Sequence, residues 1–206
     1  MSKTIQEFVA EREIKVLTHF TRETNLASIL QRGLVCRDTL VSDGKANICN
    51  DQLRLDGTNA VCASIAFPNY KMFWGLRKDN PGVEWVVLGI RPSVLWETRV
   101  AFCSANAASA GVTVIPLQQR MGLSAFQAMF GDFGNKVRAP MGLANAHPTN
   151  PQAEVLLFDG VPLKYVMGAY ALNQSQKARI EEKHPDFQVV VNAGVYRYRS
   201  DYEHWK

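Results

Sequence analysis

Residues 17–34 read LTHFTRETNLASILQRGL, and the spacing of apolar residues changes partway along this stretch. The segment VLTHFT (16–21) predicts a strand, and the residues after it repeat at helical spacing. Thr24 or Asn25 can cap that helix, because a short polar side chain satisfies free N–H groups at a helix start. Gly33 ends it, because glycine adopts a left-handed conformation at little cost. The stretch therefore predicts a strand followed by a short helix.

Two polar side chains of this strand point the same way. Side chains alternate between the two faces of a strand, so His19 and Thr21 share a face. Together they offer a ring nitrogen and a hydroxyl group to one ligand. A hydrogen-bonded histidine near a strand end, with no ligand, explains the same pattern.

The composition is that of a soluble globular protein. The chain has 206 residues, of which 47% are hydrophobic and 20% charged, and this predicts one domain spanning 1–206. No apolar run approaches the ~18 residues of a membrane helix, and the first residues lack the apolar stretch of a secretory signal. We therefore expect a cytoplasmic location and no membrane partner. The net charge of +4 permits a nucleic-acid partner without requiring one.

The cysteines and histidines are scattered along the chain. The sequence contains four of each, with no CxxC motif and no spacing typical of zinc ligands. We expect reduced thiols and no metal site. P-loop, GxGxxG, GxSxG and HExxH motifs are also missing, which leaves a Rossmann dinucleotide site unsupported.

Strands outnumber helices in the predicted order, and the two do not alternate regularly. EWVVLGI (84–90) is a strong buried strand, and VAFC (100–103) and VTVI (112–115) are weaker strands. FQVVV (187–191) and VYRYR (195–199) close the chain as strands. Residues 36–58 and 131–153 are predicted to be long irregular loops. This order favours an α+β fold over a doubly wound sheet.

A second polar pair lies at the start of the strand that begins near residue 153. Gln152 and Glu154 are two residues apart, so at strand spacing they share a face. An amide and a carboxylate at that place can bind a ribose hydroxyl and a second substrate. A solvated strand end is the ordinary alternative. The position of the pair at the end of a long loop adds weight to the functional interpretation, because functional residues concentrate on loops held by a rigid scaffold.

Aromatic and basic residues suggest a nucleic-acid contact. Residues 196–199 alternate tyrosine and arginine, which suits single strands because bases stack and phosphates need cations. A charged edge strand gives the same pattern. Lys136 and Arg138 add to the nucleic-acid reading, as do Arg197 and Arg199. Tyr70 can face a planar ring, although core packing would also explain it.

Taken together, these segments resemble DarT-type ADP-ribosyltransferases, toxins that modify DNA bases. The resemblance rests on His-x-Thr at 19–21, the NL..IL..GL helix at 25–34, an arginine (Arg54) in the first long loop, and QAE at 152–154. A basic, tyrosine-rich C-terminus completes the order. The resemblance implies an ADP-ribosyltransferase fold, in which two small β-sheets with flanking helices form a cleft for NAD.

The resemblance also implies roles for individual residues. Residues near 41–57 would cover NAD, and residues from about 111 to 154 would form the substrate loop. Glu154 and Arg54 would be the catalytic pair, with Arg54 stabilising the base or neutralising an NAD phosphate, and Gln152 would contact the incoming base. The remaining expected NAD contacts are His19, Phe20, Thr21, Ser28 and Val35.

The expected activity is transfer of ADP-ribose from NAD to a base in single-stranded DNA, by a toxin of a toxin–antitoxin or phage-defence system. A neutralising antitoxin protein is then an expected partner. The segment after Arg54 departs from the thymidine-modifying members, so guanine, adenine and RNA remain open as targets. The sequence is also compatible with a transferase that modifies protein and with a non-catalytic nucleic-acid binding module.

Overall fold

The computed structural model describes residues 3–44 and 58–206. The strands are Leu17–Arg22 (β1), Val61–Ile65 (β2), Trp85–Ile90 (β3), Val100–Cys103 (β4), Glu154–Leu157 (β5), Val166–Ala171 (β6) and Val189–Val191 (β7). The α-helices are Ile5–Glu11 (α1), Leu26–Arg32 (α2), Arg37–Ser42 (α3), Tyr70–Asp79 (α4), Val94–Glu97 (α5), Ala110–Thr113 (α6), Gly122–Ala128 (α7) and Gln174–Lys183 (α8). Short 3₁₀ helices occupy several of the connections. The α+β class predicted from the sequence is confirmed.

The strands form one seven-stranded sheet in the order β4-β5-β2-β1-β3-β6-β7. All neighbours are antiparallel except β6 and β7, which run parallel. Every residue of β3 is buried, as expected for an unbroken apolar run near the centre of a sheet. The prediction of two separate small sheets is not confirmed.

The sheet is weakly joined between β1 and β2. β1 pairs with β3 along its whole length, but its pairing with β2 is limited to Leu17 with Ile65 and Thr18 with Ser64. Beyond Thr18 the two strands part. The sheet thus has a four-stranded half (β1, β3, β6, β7) and a three-stranded half (β2, β4, β5), with a gap opening between them.

Helices cover the sheet and bury its apolar side chains. The largest cluster of buried apolar residues takes members from both halves of the sheet and from α1, α2, α7 and α8. Phe8 of α1 packs edge-on against Phe126 of α7, with ring centroids 4.9 Å apart, and Phe126 stacks on Phe102 of β4. This packing connects α1 and α7 to β4, in the three-stranded half of the sheet. Within the described ranges, no helix is long and apolar enough to cross a membrane.

Three sequence-based expectations for secondary structure are wrong. The first long loop contains the helix α3. VTVI (112–115) is not a strand, because α6 occupies its first two residues and Val114 is 78% exposed. Residues 193–196 form a 3₁₀ helix where the strand VYRYR was expected, because the Tyr196 hydroxyl donates to the Tyr170 carbonyl, 2.8 Å away.

Candidate active site

A cleft of about 360 Å³ lies where β1 and β2 part. One wall is the end of β1 and the adjoining helix α2, and the other includes residues 60–64 and the start of β5. Five of the residues predicted to form the site, all between positions 19 and 35, line this cleft. They are His19, Phe20, Thr21, Ser28 and Val35, and the predicted catalytic residue Glu154 joins them.

His19 bridges the gap between the two strands. Its Nδ1 lies 2.7 Å from the carbonyl oxygen of Cys62 in β2. A carbonyl can only accept, so Nδ1 carries the proton and Nε2 keeps its lone pair in the neutral ring. Burial lowers the pKa of His19, and the bond to Cys62 only partly opposes this effect. At neutral pH His19 is therefore a neutral, fixed hydrogen-bond acceptor.

Phe20 and Thr21, which follow His19 in β1, are held in place by neighbouring side chains. Thr21 is buried, and its hydroxyl oxygen accepts a 2.9 Å hydrogen bond from the Asn25 side chain. Phe20 stacks on Phe73 of α4, with centroids 4.6 Å apart and planes 12° apart. The β1 wall thus combines fixed polar groups with an aromatic ring.

Glu154 provides a carboxylate on the opposite half of the sheet. It begins β5, is 5% exposed, and pairs in register with Cys103 of β4. Its Oε2 accepts from the backbone N–H of Ala107 at 2.8 Å, and its Oε1 from the Asn106 side chain at 3.3 Å. These donors compensate the cost of burying a charge and fix the direction of the carboxylate.

The structure adds residues to the cleft that sequence reasoning missed. Arg37, the first residue of α3, contributes a cation, and Asn69 and Asn106 contribute amides. Asn106 could not be found from the sequence, because its partner Glu154 lies 48 residues away. Arg37 could have been suspected from the sequence, because it lies two residues after Val35, a predicted NAD contact.

Tyr70 and Gln152 do not line the cleft. Tyr70 is 3% exposed, and burial is the main cause that raises the pKa of its hydroxyl to about 12. It packs beside the cleft residue Asn69 instead. Gln152 lies two residues before Glu154, and its backbone N–H donates to the Asn150 side chain at 2.9 Å.

The four predicted substrate-binding cations have different environments. Arg199 is 4% exposed and fully engaged with Asp201 and with the carbonyls of Pro148 and Thr149, so it does not fit the expected contact to nucleic acid. Arg138 donates to three groups within residues 144–149. Lys136 is half-buried near the Trp205 ring, whereas Arg197 is exposed.

Arg54 and most of the predicted NAD-covering loop lie outside the described residues. In the described ranges, no group of three or more His, Cys, Asp or Glu residues is arranged to hold a metal ion.

The fold of this chain is similar to that of several solved structures. Thermosipho africanus DarTG in complex with ADP-ribose is 14% identical, with a TM-score of 0.55; the match covers 88% of this chain and 51% of that chain. The present chain thus spans about half the length of that protein. Thermus sp. 2.9 DarT in complex with carba-NAD⁺ is 13% identical, with a TM-score of 0.53 and coverage of 90% and 99%. The same Thermus protein in complex with ADP-ribosylated ssDNA matches with a TM-score of 0.53.

A family model identifies the sequence relationship. No curated protein matches the chain. The model described as "ssDNA thymidine ADP-ribosyltransferase, DarT" matches residues 18–200, which include the strand with His19 and the strand with Glu154. The chain therefore belongs to the DarT family of ADP-ribosyltransferases.

Proposed function

We propose that this protein transfers ADP-ribose from NAD to a base in single-stranded DNA. One observation carries the proposal: the neutral ring of His19 and the buried carboxylate of Glu154, from different halves of the sheet, line the same cleft. Family membership supports the reaction type. The description of the family names thymidine, which makes thymine the first base to test.

The cleft suits NAD as a substrate. Its polar groups are spaced along an otherwise apolar lining, which is typical of sites that bind a nucleotide by a few oriented hydrogen bonds. The Nε2 atom of His19 can accept a hydrogen bond from the nicotinamide end, and the Phe20 ring offers an apolar surface beside it. Ser28 and Val35 would line the same pocket. Arg37 supplies a positive charge suited to a phosphate.

Glu154 is placed to stabilise the reacting sugar. When bound, NAD supplies an ADP-ribosyl group whose bond to nicotinamide breaks with positive charge developing on the ribose. The Glu154 carboxylate would accept a hydrogen bond from a ribose hydroxyl and stabilise that charge. Because the Ala107 N–H and the Asn106 side chain already orient it, little reorganisation is needed during the reaction.

The DNA base is the proposed nucleophile, so no serine or cysteine nucleophile is needed. A base nitrogen forms the new bond to the ribose carbon, nicotinamide leaves with the electron pair of the old bond, and the base gives up a proton. Gln152, at the approach to Glu154, would contact the base. We propose that Arg54 acts electrostatically, because a guanidinium with a pKa above ~12 is a poor general base.

Single-stranded DNA is favoured over a duplex because a paired and stacked base is shielded from such a site. The structure of Thermus DarT in complex with ADP-ribosylated ssDNA supports this choice. RNA is the second candidate substrate, since the segment after Arg54 departs from the thymidine-modifying pattern.

The biological role follows from the same reaction. Modification of DNA bases would block their pairing, so we propose that the protein is a toxin, neutralised by an antitoxin protein, in a toxin–antitoxin or phage-defence system. A cytoplasmic location fits this role.

Mass spectrometry of oligonucleotides treated with enzyme and NAD tests the proposal. Single-stranded DNA with each of the four bases, matched RNA and duplex DNA are compared, and a DNA product carrying ADP-ribose is expected. Glu154→Gln should lower the transfer rate by about 10²–10³-fold, the usual effect of losing one preorganised electrostatic group. Glu181→Gln, which changes a partly exposed carboxylate of α8 far from the cleft lining, is the control. Modification of RNA alone, of protein alone, or full activity in Glu154→Gln would contradict the proposal.

A further inference from the structure

A partly exposed group of aromatic rings lies at the C-terminus, outside the cleft. Tyr198 stacks on Tyr202, with ring centroids 4.7 Å apart and planes 16° apart. Tyr198 is 49% exposed although its ring is large and mostly apolar. Trp205 lies further along, tilted against Phe133 at 6.2 Å. We call Tyr198, Tyr202 and Trp205 the C-terminal aromatic surface.

Hydrogen bonds to residues beneath this surface hold it in place. The carboxylate of Asp201 is buried, accepts two 2.6 Å hydrogen bonds from Arg199, and accepts a third from the Trp205 indole at 2.8 Å. The Trp205 carbonyl accepts a further hydrogen bond from Lys71. Rings fixed in this way lose little freedom when a flat ligand stacks on them, which favours binding.

Cations surround the rings. The Lys136 ammonium lies 6.0 Å from the Trp205 ring centroid, and Lys206 lies 4.8 Å from that of Tyr202. Arg197 is exposed immediately before Tyr198. One acidic side chain at this surface, Glu203, is ion-paired with Lys206. Exposed aromatic rings among cations match the chemistry of single-stranded nucleic acid, which presents flat bases along a chain of phosphates.

Two contacts join the surface to residues that lie close in sequence to residues of the cleft. The Tyr198 ring meets the Tyr70 ring edge-on at 5.8 Å, and Tyr70 follows Asn69, which lines the cleft. From the other side, Arg199 donates to the Thr149 carbonyl at 2.8 Å, five residues before Glu154. The segments that carry Asn69 and Glu154 into the cleft therefore both contact this surface.

We propose that the C-terminal aromatic surface binds nucleotides that flank the target base, with a base stacked on Tyr198. The inference rests on the proposed function, in that it takes single-stranded DNA to be the substrate. It adds a second binding region to the reaction centre, one whose contacts depend on the length of the strand and not on the identity of the base.

Binding of a fluorescent single-stranded 12-mer, measured by anisotropy without NAD, tests this region separately from catalysis. Tyr198→Ala should weaken binding about tenfold, the usual loss for one base–aromatic stack, and Tyr198→Phe should keep affinity within about twofold. Trp74→Ala is the matched control, because Trp74 is 47% exposed on α4 and lies outside this surface. Thermal unfolding of each variant verifies that it folds.

Kinetics with NAD give a second readout. In Tyr198→Ala the KM for the 12-mer should rise while the KM for NAD stays unchanged, and a trimer centred on the target base should be modified equally by wild type and variant. Equal 12-mer affinity in wild type and Tyr198→Ala, or an equal loss in Trp74→Ala, would overturn the inference. If the wild type binds the 12-mer through Tyr198 but transfers no ADP-ribose to it, the proposed reaction fails while the binding surface stands.

Discussion

The guanidinium of Arg199 and the carboxylate of Asp201 form a buried bidentate ion pair, with two nitrogen–oxygen distances of 2.6 Å. The same guanidinium donates to the carbonyls of Pro148 and Thr149, so it ties the C-terminal segment to the chain that leads into Glu154. The sequence suggested that Arg199 contacts substrate. The structure instead gives it a role in holding two segments together.

Removing one member of this pair should strongly destabilise the fold. Asp201→Ala leaves the Arg199 charge buried without its partner, and breaking a buried pair in this way costs about 3–5 kcal/mol. Chemical denaturation measures the free energy of unfolding. Asp159→Ala is the control, because Asp159 lies in an exposed pair with Arg99 at 3.9 Å, and exposed pairs contribute about 0–1 kcal/mol. Equal losses in the two variants would show that the Arg199–Asp201 pair contributes no more than a surface contact.

Substitutions can distinguish the roles of the two ring nitrogens of His19. The amide of His19→Asn can replace the Nδ1 donor to Cys62, whereas His19→Gln can place an acceptor near the position of Nε2. If Nε2 accepts a hydrogen bond from NAD, His19→Asn should raise the KM for NAD about tenfold, and His19→Gln should raise it less. The reverse order would mean that the bond to Cys62, and not the Nε2 lone pair, is what NAD binding needs.

The pH dependence of NAD binding follows from the same ring. Burial lowers the pKa of His19 below its ordinary value of 6.5, so the ring stays neutral through that pH. Binding through the Nε2 lone pair should then be constant from pH 8 to about 6.5 and weaken only at lower pH, as the ring gains a proton. Isothermal titration of NAD across this range tests the expectation, and a loss that begins above pH 7 would contradict it.

Sequence patterns singled out several residues that line the cleft, but not the residues that support them. His19 and Thr21, and likewise Glu154, lie at strand positions whose facing follows from local alternation, and the structure brings all three to one cleft. Local alternation does not reveal which distant segment supplies a partner. Asn106 and Ala107, which hold the Glu154 carboxylate, come from a turn after β4 that no local pattern marked.

The incorrect strand predictions have a similar cause. VTVI (112–115) has the β-branched residues of a strand, but a strand also needs a free neighbouring edge. This segment makes one helical turn and buries Val112 instead. At residues 196–199, distant partners override the alternation of tyrosine and arginine. Tyr196 donates to the carbonyls of Trp85 and Tyr170, and Arg199 donates to those of Pro148 and Thr149.

Arg37 should contribute to the affinity for NAD through its charge. It lines the cleft at the first residue of α3, where a phosphate group of NAD would be attracted to it. Arg37→Ala should raise the KM for NAD about tenfold, as expected for loss of one charge-assisted hydrogen bond, and Arg37→Lys should recover part of that loss. Arg99→Ala removes an exposed arginine that does not line the cleft and should leave the KM for NAD unchanged. An unchanged KM in Arg37→Ala would remove this residue from the proposed NAD site.

Gly33 is required both for the end of α2 and for the shape of the cleft. Its φ angle of +76° favours glycine, and a Cβ atom there would lie 2.3 Å from the Val161 carbonyl oxygen. Gly142 also has a positive φ, +61°, but a Cβ atom there would meet open space, so Gly142→Ala measures the backbone strain alone. We expect Gly142→Ala to cost about 1 kcal/mol of unfolding free energy and Gly33→Ala about 3 kcal/mol or more. Chemical denaturation of the two variants measures the difference, and equal costs would mean that the close contact between Gly33 and Val161 relaxes without penalty.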